Sequence, residues 1–357
     1  LGTPTNYDEF ATNEITNMSY RTIAAYAMDS WKVMRRLSVE LGVRFDHIGP
    51  WHDDDNKSGF AVWVPTFYQS DIAAGIPTPG FRWTSRAPGV PNSGNPSRFA
   101  YISPRMGAAL DLFGTGKTIL RGGWGKYRWA EQFNDSQTAL QLGHGSREFT
   151  FAYNGSCARY LWEIDTLASK GASGCSSLAN VTGLDPLNDE RSLTTSYNFT
   201  ISQRMPWKTL LEVAYVGNKS DNLHTVWYSG HGGLTDINLI PIGYLFTGDA
   251  TRNLTPICSP LPDCALNAGG TQPYRPYPYY AALNVVKSVG YANYNALQVS
   301  WQRLAGNVVC NLNYTWSKAM GTRNTHQFGG PVGNPLDIRA NYGVSNIDRS
   351  HVFNASY

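Results

Sequence analysis

The chain has 357 residues, enough for one large or two ordinary domains, and its formal net charge of +3 with no basic run gives no reason to expect a nucleic-acid partner. Charged residues make up only 15% and aromatics reach 13%, with 21 Tyr, 14 Phe and 11 Trp; an average soluble domain carries about 25% charge, and this skew suits an interface with lipid. No run of about 18 apolar residues exists and the mean hydropathy is -0.33, which excludes a helical membrane span.

The first residues, LGTPTNYDEF, have neither an initiator Met nor the charged-then-apolar start of a signal peptide. The last, HVFNASY, stop inside an alternation. Both ends are expected to be cut, so that the chain is a fragment.

From Tyr20 the sequence turns regular. Tyr20, Thr22, Ala24, Tyr26 and Met28 stand against Arg21, Asp29 and small residues, and Leu37, Val39, Leu41, Val43 and Phe45 alternate with Ser38, Glu40, Gly42, Arg44 and Asp46. Period two predicts strands with one apolar face. Only Met34-Arg35-Arg36 separates the two runs, which predicts a tight antiparallel hairpin. Its arms of roughly 10 to 14 residues exceed the usual 5 or 6. At about 3.3 Å per residue and a tilt near 40°, about eleven residues rise about 28 Å, the thickness of a bilayer's hydrocarbon core.

The segment from Pro50 to Phe99 is rich in Pro, Gly, Asn, Asp and Ser, shows no sustained period and is expected to be a long loop. A second hairpin follows. Ile102, Pro104, Met106, Ala108, Leu110 and Leu112 share a face against Ser103, Arg105, Gly107 and Asp111; Phe113 to Lys117 is the turn; the return arm puts Leu120 and Trp124 outward and Arg121, Gly123 and Gly125 inward. After about 60 irregular residues, a third hairpin turns around Met205-Pro206-Trp207-Lys208, with Tyr197, Phe199, Ile201, Leu211, Val213 and Tyr215 on its apolar face and Glu212, Ala214 and Asn218 opposite. A fourth turns at Leu304-Ala305-Gly306-Asn307. Leu297, Val299, Trp301, Val308, Cys310, Leu312, Tyr314 and Trp316 face one way, and Gln298, Ser300, Gln302, Asn311, Asn313, Thr315 and Ser317 the other. A ninth strand starts at about Val352.

Connections alternate strictly between turns of about three to five residues and links of about 25 to 60. Soluble β-sandwich modules have shorter strands and no such alternation, whereas outer-membrane barrels have short periplasmic turns and long extracellular loops. The expected fold is all-β: a partial transmembrane antiparallel β-barrel, an up-and-down meander of about nine long strands. Trp31, Phe45, Trp124, Trp129, Trp207, Trp301 and Trp316 are expected near strand ends, where amphipathic rings meet the headgroups.

Motifs for chemistry are few. Gly114-Thr115-Gly116-Lys117-Thr118 has the tail of a phosphate-binding loop, but Asp111 holds the position of its first Gly and a strand follows, so it is expected to be a hairpin turn. His52-Asp53-Asp54-Asp55 offers carboxylates to a hard cation, although an acidic loop tip is more often solvated. His144, His224, His231 and His326 have no ligand spacing. No nucleophile, base and orienter assemble, so no enzyme, metal site or cofactor is expected. Asn198 and Asn313 sit within strands, which removes weight from their glycosylation-like triplets. Cys157 with Cys175 and Cys258 with Cys264 fall as pairs in long loops and are expected to form disulfides; Cys310, on an apolar face, is expected to be free.

AAYAMDSWKVMRRLSVELGVRFD, ISPRMGAALDLFGTGKTILRGGWGKY, LEVAYVGNKSDNL, YNALQVSWQR, NLNYTWSKAMG and NIDRSHVFNASY together resemble the barrel of TonB-dependent outer-membrane receptors. The group they resemble is the Oar-like receptors with a carboxypeptidase-regulatory-like domain. The resemblance implies residues 1–357 as a fragment of one outer-membrane barrel domain of about 22 strands, with the plug domain and remaining strands absent. It implies energised uptake of a scarce or large ligand, such as a glycan, peptide or metal chelate. The implied partners are outer-membrane lipid, a TonB-type inner-membrane energy-coupling protein that acts through the missing plug, and an extracellular ligand of unknown identity. Lumen-facing Arg44, Arg105 and Arg121 are the candidate substrate contacts. Asp348-Arg349-Ser350-His351 resembles the family's Asp-Arg-x-His strand start and reads as a structural ion pair. A surface protein whose loops adhere or assemble, with the barrel as anchor, remains the alternative.

Overall fold

The computed structural model describes residues 6–10, 17–54, 60–76, 78–84, 87–130, 146–150, 176–177, 181–224, 236–240, 275–280, 282–303, 305–306, 308–322 and 336–357. In chain order, β1 (Thr22–Met34) and β2 (Leu37–Ile48) form the first hairpin, and the link after it carries β3 (Ala61–Trp63), α1 (Tyr68–Ala73) and β4 (Phe81–Trp83). The second hairpin is β5 (Tyr101–Asp111) and β6 (Thr118–Arg128), and the next link carries β7 (Val181–Leu184). The third is β8 (Leu193–Met205) and β9 (Thr209–His224), followed by β10 (Leu283–Val286). The fourth is β11 (Ser288–Arg303) and β12 (Cys310–Gly321), and β13 (Gly343–Val344) and β14 (His351–Ser356) come last.

The hairpin strands join side by side into one antiparallel wall, in the order β1-β2-β5-β6-β8-β9-β11-β12, and both β13 and β14 pair with β12. Register shows why the alternation in sequence works. One rung runs Leu37, Leu110, Leu120, Ile201, Val213, Val299, Tyr314, Phe353 across the wall, and the adjacent rung runs Ser38, Ala109, Arg121, Thr200, Ala214, Gln298, Thr315, Val352. Every side chain of the first rung is apolar or aromatic; the second is small or polar apart from Val352. The wall has an apolar outer face and a polar inner face, as the lipid and lumen sides of a barrel require. It does not close. Among the described strands, β1 pairs only with β2 and β14 only with β12.

One strand departs from its sequence pattern. The β1–β2 register shifts between Lys32 and Met34, so Val33 is an extra residue, a β-bulge. Without it Tyr26 and Met28 would share the apolar face of Val43 and Phe45, as their alternation suggests. With it Tyr26 lies opposite Arg44 and Met28 opposite Gly42, both on the inner face, while Asp29 and Trp31 fall opposite Leu41 and Val39 on the outer face. The aromatic pattern needs correcting too: Trp124 and Trp316 sit in mid-strand, whereas Trp31 and Trp301 lie near strand ends and Trp207 in a turn.

The long links are not structureless. The segment from Pro50 to Phe99 contributes β3, α1 and β4, and these join β7 and β10 from two other links in a four-stranded sheet, β10-β7-β3-β4. β7 runs parallel to both its neighbours. Aromatic residues explain how segments without period two form a sheet: Trp63, Tyr68, Phe81 and Tyr280, with Val181 and Leu283, make a buried core on one side, and Phe60, Leu184 and Val286 pack on the other. Such a core supplies what scattered polar loops lack. Buried Asn238 clamps the Tyr-rich segment, donating from Nδ2 to the carbonyls of Tyr277 and Tyr280 and accepting from the Tyr277 amide. This small sheet forms a cap on the rim that carries the long links.

The last strand is interrupted rather than simply late. β13 pairs with Met320 and Gly321, and β14 with Asn311 to Trp316. In the gap Asp348 accepts the Ala319 amide at 2.7 Å, so a carboxylate stands in for a ladder carbonyl. Asp348 pairs with Lys318 at 3.4 Å, whereas Arg349 donates to the Asp348 backbone carbonyl. The motif is structural, with an ion-pair partner on β12 and not within the motif itself.

Candidate functional site: a polar hollow on the inner wall

Four inner-face glycines gather on neighbouring strands. Glu40 lies opposite Gly107 and Gly42 opposite Arg105 in the β2–β5 ladder, while Gly107 faces Gly123 and Arg105 faces Gly125 between β5 and β6. Asn198 and Ser196 on β8 lie opposite Gly123 and Gly125. Missing Cβ atoms leave bare backbone there, so the wall dips into a hollow of about 240 Å³. An adjoining hollow of about 200 Å³ reaches Tyr26 and Arg44.

The glycines are needed where side chains lie down on them. A Cβ on Gly125 would come within 3.1 Å of both Arg105 Cγ and the Tyr127 hydroxyl, and one on Gly123 within 3.2 Å of Asn198 Nδ2. The Arg105 guanidinium is held 4.4 Å above the Tyr127 ring, a cation–π contact that fixes a planar fork.

The three arginines expected in the lumen differ in what they can do. Arg44 Nε donates to Asp46 at 2.7 Å, and Asp46 is buried. Arg121 reaches Glu212 at 3.1 Å and the Ser202 hydroxyl at 2.8 Å, and Ser202 donates in turn to Glu212. Both are already neutralised and serve the wall. Arg105 has no carboxylate partner among the described residues and is the one of the three without an ion pair there. Tyr127, Ser196 and Asn198, which complete the hollow, were not singled out as site residues by the sequence. Their inward parity was legible, but nothing local marks them as facing glycines on another hairpin.

The other sequence candidates have structural work. Asp111 accepts the amides of Gly114 and Gly116 at 2.9 and 2.8 Å, so the phosphate-loop-like turn is filled by its own carboxylate. His52 Nε2 lies 3.2 Å from Asp54, and Ser19 donates to the same carboxylate. Cys310 is free on the outer face. Cys157, Cys175, Cys258 and Cys264 lie outside the described residues, as do Asp55, His144, His231 and His326.

A second cluster fastens the cap to the rim. Arg98 donates to both oxygens of Asp189, at 2.9 and 3.1 Å, and to Glu190. The Tyr101 hydroxyl donates to the Asp189 carbonyl, and buried Arg191 donates to Pro96. The Arg98 guanidinium holds the Asp189 carboxyl below the usual carboxylate range. With Arg128 at the end of β6 donating to the Arg191 carbonyl at 3.1 Å, these residues tie the links after β4 and β7 to the tops of β5, β6 and β8.

A family model described as an outer membrane beta barrel domain matches residues 1–357. The chain belongs to that family. It is an outer-membrane β-barrel domain, located in the outer membrane of a Gram-negative bacterium. By the rule for such barrels, the short turns face the periplasm and the cap faces outward.

No curated protein sequence matches the chain significantly. Similar solved structures include the outer membrane transporter YddB of Escherichia coli (10% identity, 89% of this chain and 28% of that one, TM-score 0.38). The siderophore receptor PirA of Pseudomonas aeruginosa is similar at 11% identity over 84% of this chain and 35% of its own, with a TM-score of 0.37. A point mutant of the ferric enterobactin receptor PfeA of Pseudomonas aeruginosa is similar at 12% identity, over 85% and 39%, with a TM-score of 0.34. The chain spans well under half the length of each.

Proposed function

We propose that this chain is a segment of the wall of a TonB-dependent outer-membrane receptor of the Oar-like group, and that the longer protein takes up a scarce or large ligand by energised transport, without enzymatic activity. In this reading residues 1–357 are one part of a larger barrel, whose other strands and plug lie elsewhere in the longer protein. A TonB-type inner-membrane protein engages that plug. The observation that carries the reading is the wall itself: an open sheet whose two edge strands each have a partner on one side only among the described residues, with a polar and glycine-rich inner face. In lipid an unsatisfied edge costs several kcal/mol per backbone group, so further strands must continue the sheet, and a wide barrel leaves room for a plug.

The folded cap favours a second reading, a surface protein that adheres through its loops, because a sheet with its own core is a firm binding platform. Planar-bilayer conductance of the full-length protein separates the two. The uptake proposal expects a silent protein that conducts once its plug is deleted, and a plug that captures the periplasmic domain of a TonB-type partner. A permanently open pore, or a plug-deleted protein that stays silent, contradicts it.

A further inference from the structure

We propose that the inner-wall hollow binds a zwitterion of amino-acid size, a free α-amino acid or a very short peptide, with its carboxylate on Arg105 and its ammonium group on Glu40. The inference deepens the uptake reading and rests on it.

The charge arrangement is specific. Glu40 lies opposite Gly107, and Arg105, the next inner-face residue of β5, lies opposite Gly42. Two opposite charges are therefore diagonal neighbours above a glycine floor. Diagonal positions lie about 7–8 Å apart at the backbone, within reach of long side chains. They nevertheless do not pair. Arg44 has Asp46 and Arg121 has Glu212, while Arg105 and Glu40 have no ion-pair partner among the described residues. Tyr127 holds the Arg105 guanidinium against its ring, away from Glu40, with the fork's edge free for a carboxylate in two parallel hydrogen bonds.

That geometry selects among ligands. A simple anion would meet Arg105 but be repelled by Glu40, and a simple cation would suffer the converse. A neutral sugar could hydrogen-bond to both groups but would neutralise neither. A zwitterion satisfies both at once, and the Asn198 amide and Ser196 hydroxyl, which line the hollow, remain for its polar side groups. The volume of about 240 Å³ lies just under the roughly 300–1,000 Å³ of drug-sized pockets, which suits a ligand of amino-acid size.

The test is titration calorimetry of the purified full-length protein in detergent, with alanine, dialanine, N-acetylalaninamide and glucose as probes. Saturable binding of alanine or dialanine is expected, and which of them binds better identifies the source of the zwitterion. The doubly capped N-acetylalaninamide should bind at least tenfold more weakly, as should the zwitterion to Arg105→Gln or Glu40→Gln protein. Gly107→Ala is the control against misfolding, because its Cβ meets nothing closer than 3.7 Å; it should fold normally yet weaken binding by filling the floor. Absence of saturable zwitterion binding, equal affinity for the capped compound, undiminished binding by the variants, or tighter binding of glucose would each overturn the inference. Plug-gated conductance would be unaffected by such a failure, so the uptake reading stands or falls separately.

Discussion

The Tyr197 ring lies on Gly217 across the β8–β9 ladder, so close that a Cβ on Gly217 would come within 2.4 Å of it. The hydroxyls of Tyr197 and Tyr215 both donate to Asn295 Oδ1 at 2.8 Å, and the rings stack with centroids 6.2 Å apart. These residues are on the outer face, where a hydroxyl without an acceptor would be costly in lipid. Asn295 removes that cost, and Gly217 gives the ring its place. Gly217→Ala is expected to destabilise the barrel by about 1–3 kcal/mol through overpacking. Gly107→Ala, whose Cβ would make only ordinary van der Waals contact, 3.7 Å at the closest, should stay within about 0.5 kcal/mol. Urea unfolding in lipid vesicles measures both, and equal effects would contradict the packing account.

Opposite faces of one strand should tolerate charge differently. Leu41 is on the outer face and Gly42 on the inner face of β2, as their partners Asp29 and Met28 and the apolar and polar rungs establish. Leu41→Arg is expected to cost about 2–4 kcal/mol at mid-bilayer, and Gly42→Arg far less by that mechanism. Equal sensitivity on the two faces, in the same unfolding assay, would argue against a lipid-facing wall.

The wall was legible because period two is a local signal: each arm of the hairpins shows its own apolar face, and the rung from Leu37 to Phe353 assembles eight such faces. Two things were hidden. The bulge at Val33 reverses the parity of β1, and nothing in Tyr26 or Met28 announces it, since the extra residue shows only in pairing. The cap was missed because Ala61–Trp63, Val181–Leu184 and Leu283–Val286 are too short for periodicity and find one another only across three links. The hollow lay between these extremes. The alternation gives Arg105 and Glu40 inward parity, but their lack of partners depends on Tyr127 drawing the guanidinium aside.

The cap should respond to acid. Buried Asp71 accepts both Arg82 amino groups, at 2.7 and 2.9 Å, and the Gly80 amide at 2.8 Å. The Arg82 hydrogen bonds hold its carboxyl below the usual range, outweighing burial. A carboxyl with a depressed folded pKa contributes stability that is fully present above the unfolded value of about 3.9 and is lost as pH falls through the folded one. Cap tryptophan fluorescence should therefore hold steady above about pH 5 and change only in stronger acid. Arg82→Ala, which leaves the buried carboxylate unpaired, is expected to cost about 3 kcal/mol at neutral pH and to move the change to higher pH. An acid transition at the same pH in both proteins would contradict this.

Thiol content gives a check on the outer loops. With Cys157 bridged to Cys175 and Cys258 to Cys264, alkylation of unreduced and unfolded protein should label one of the five cysteines within residues 1–357, Cys310. Finding three or five would refute the pairing.

The most direct test of the wall as part of a larger barrel is the distance between its edges. Spin labels at Ala27→Cys on β1 and Phe353→Cys on β14, in full-length protein with Cys310 replaced by Ser, report it by pulsed EPR. Neighbouring strands lie about 4.8 Å apart, so an open arc separates these edge strands by more than about 25 Å, with other strands of the longer chain between them. A long, single distance of that order is the predicted result; a distance under about 15 Å, placing β1 beside β14 in a small closed barrel, would contradict it.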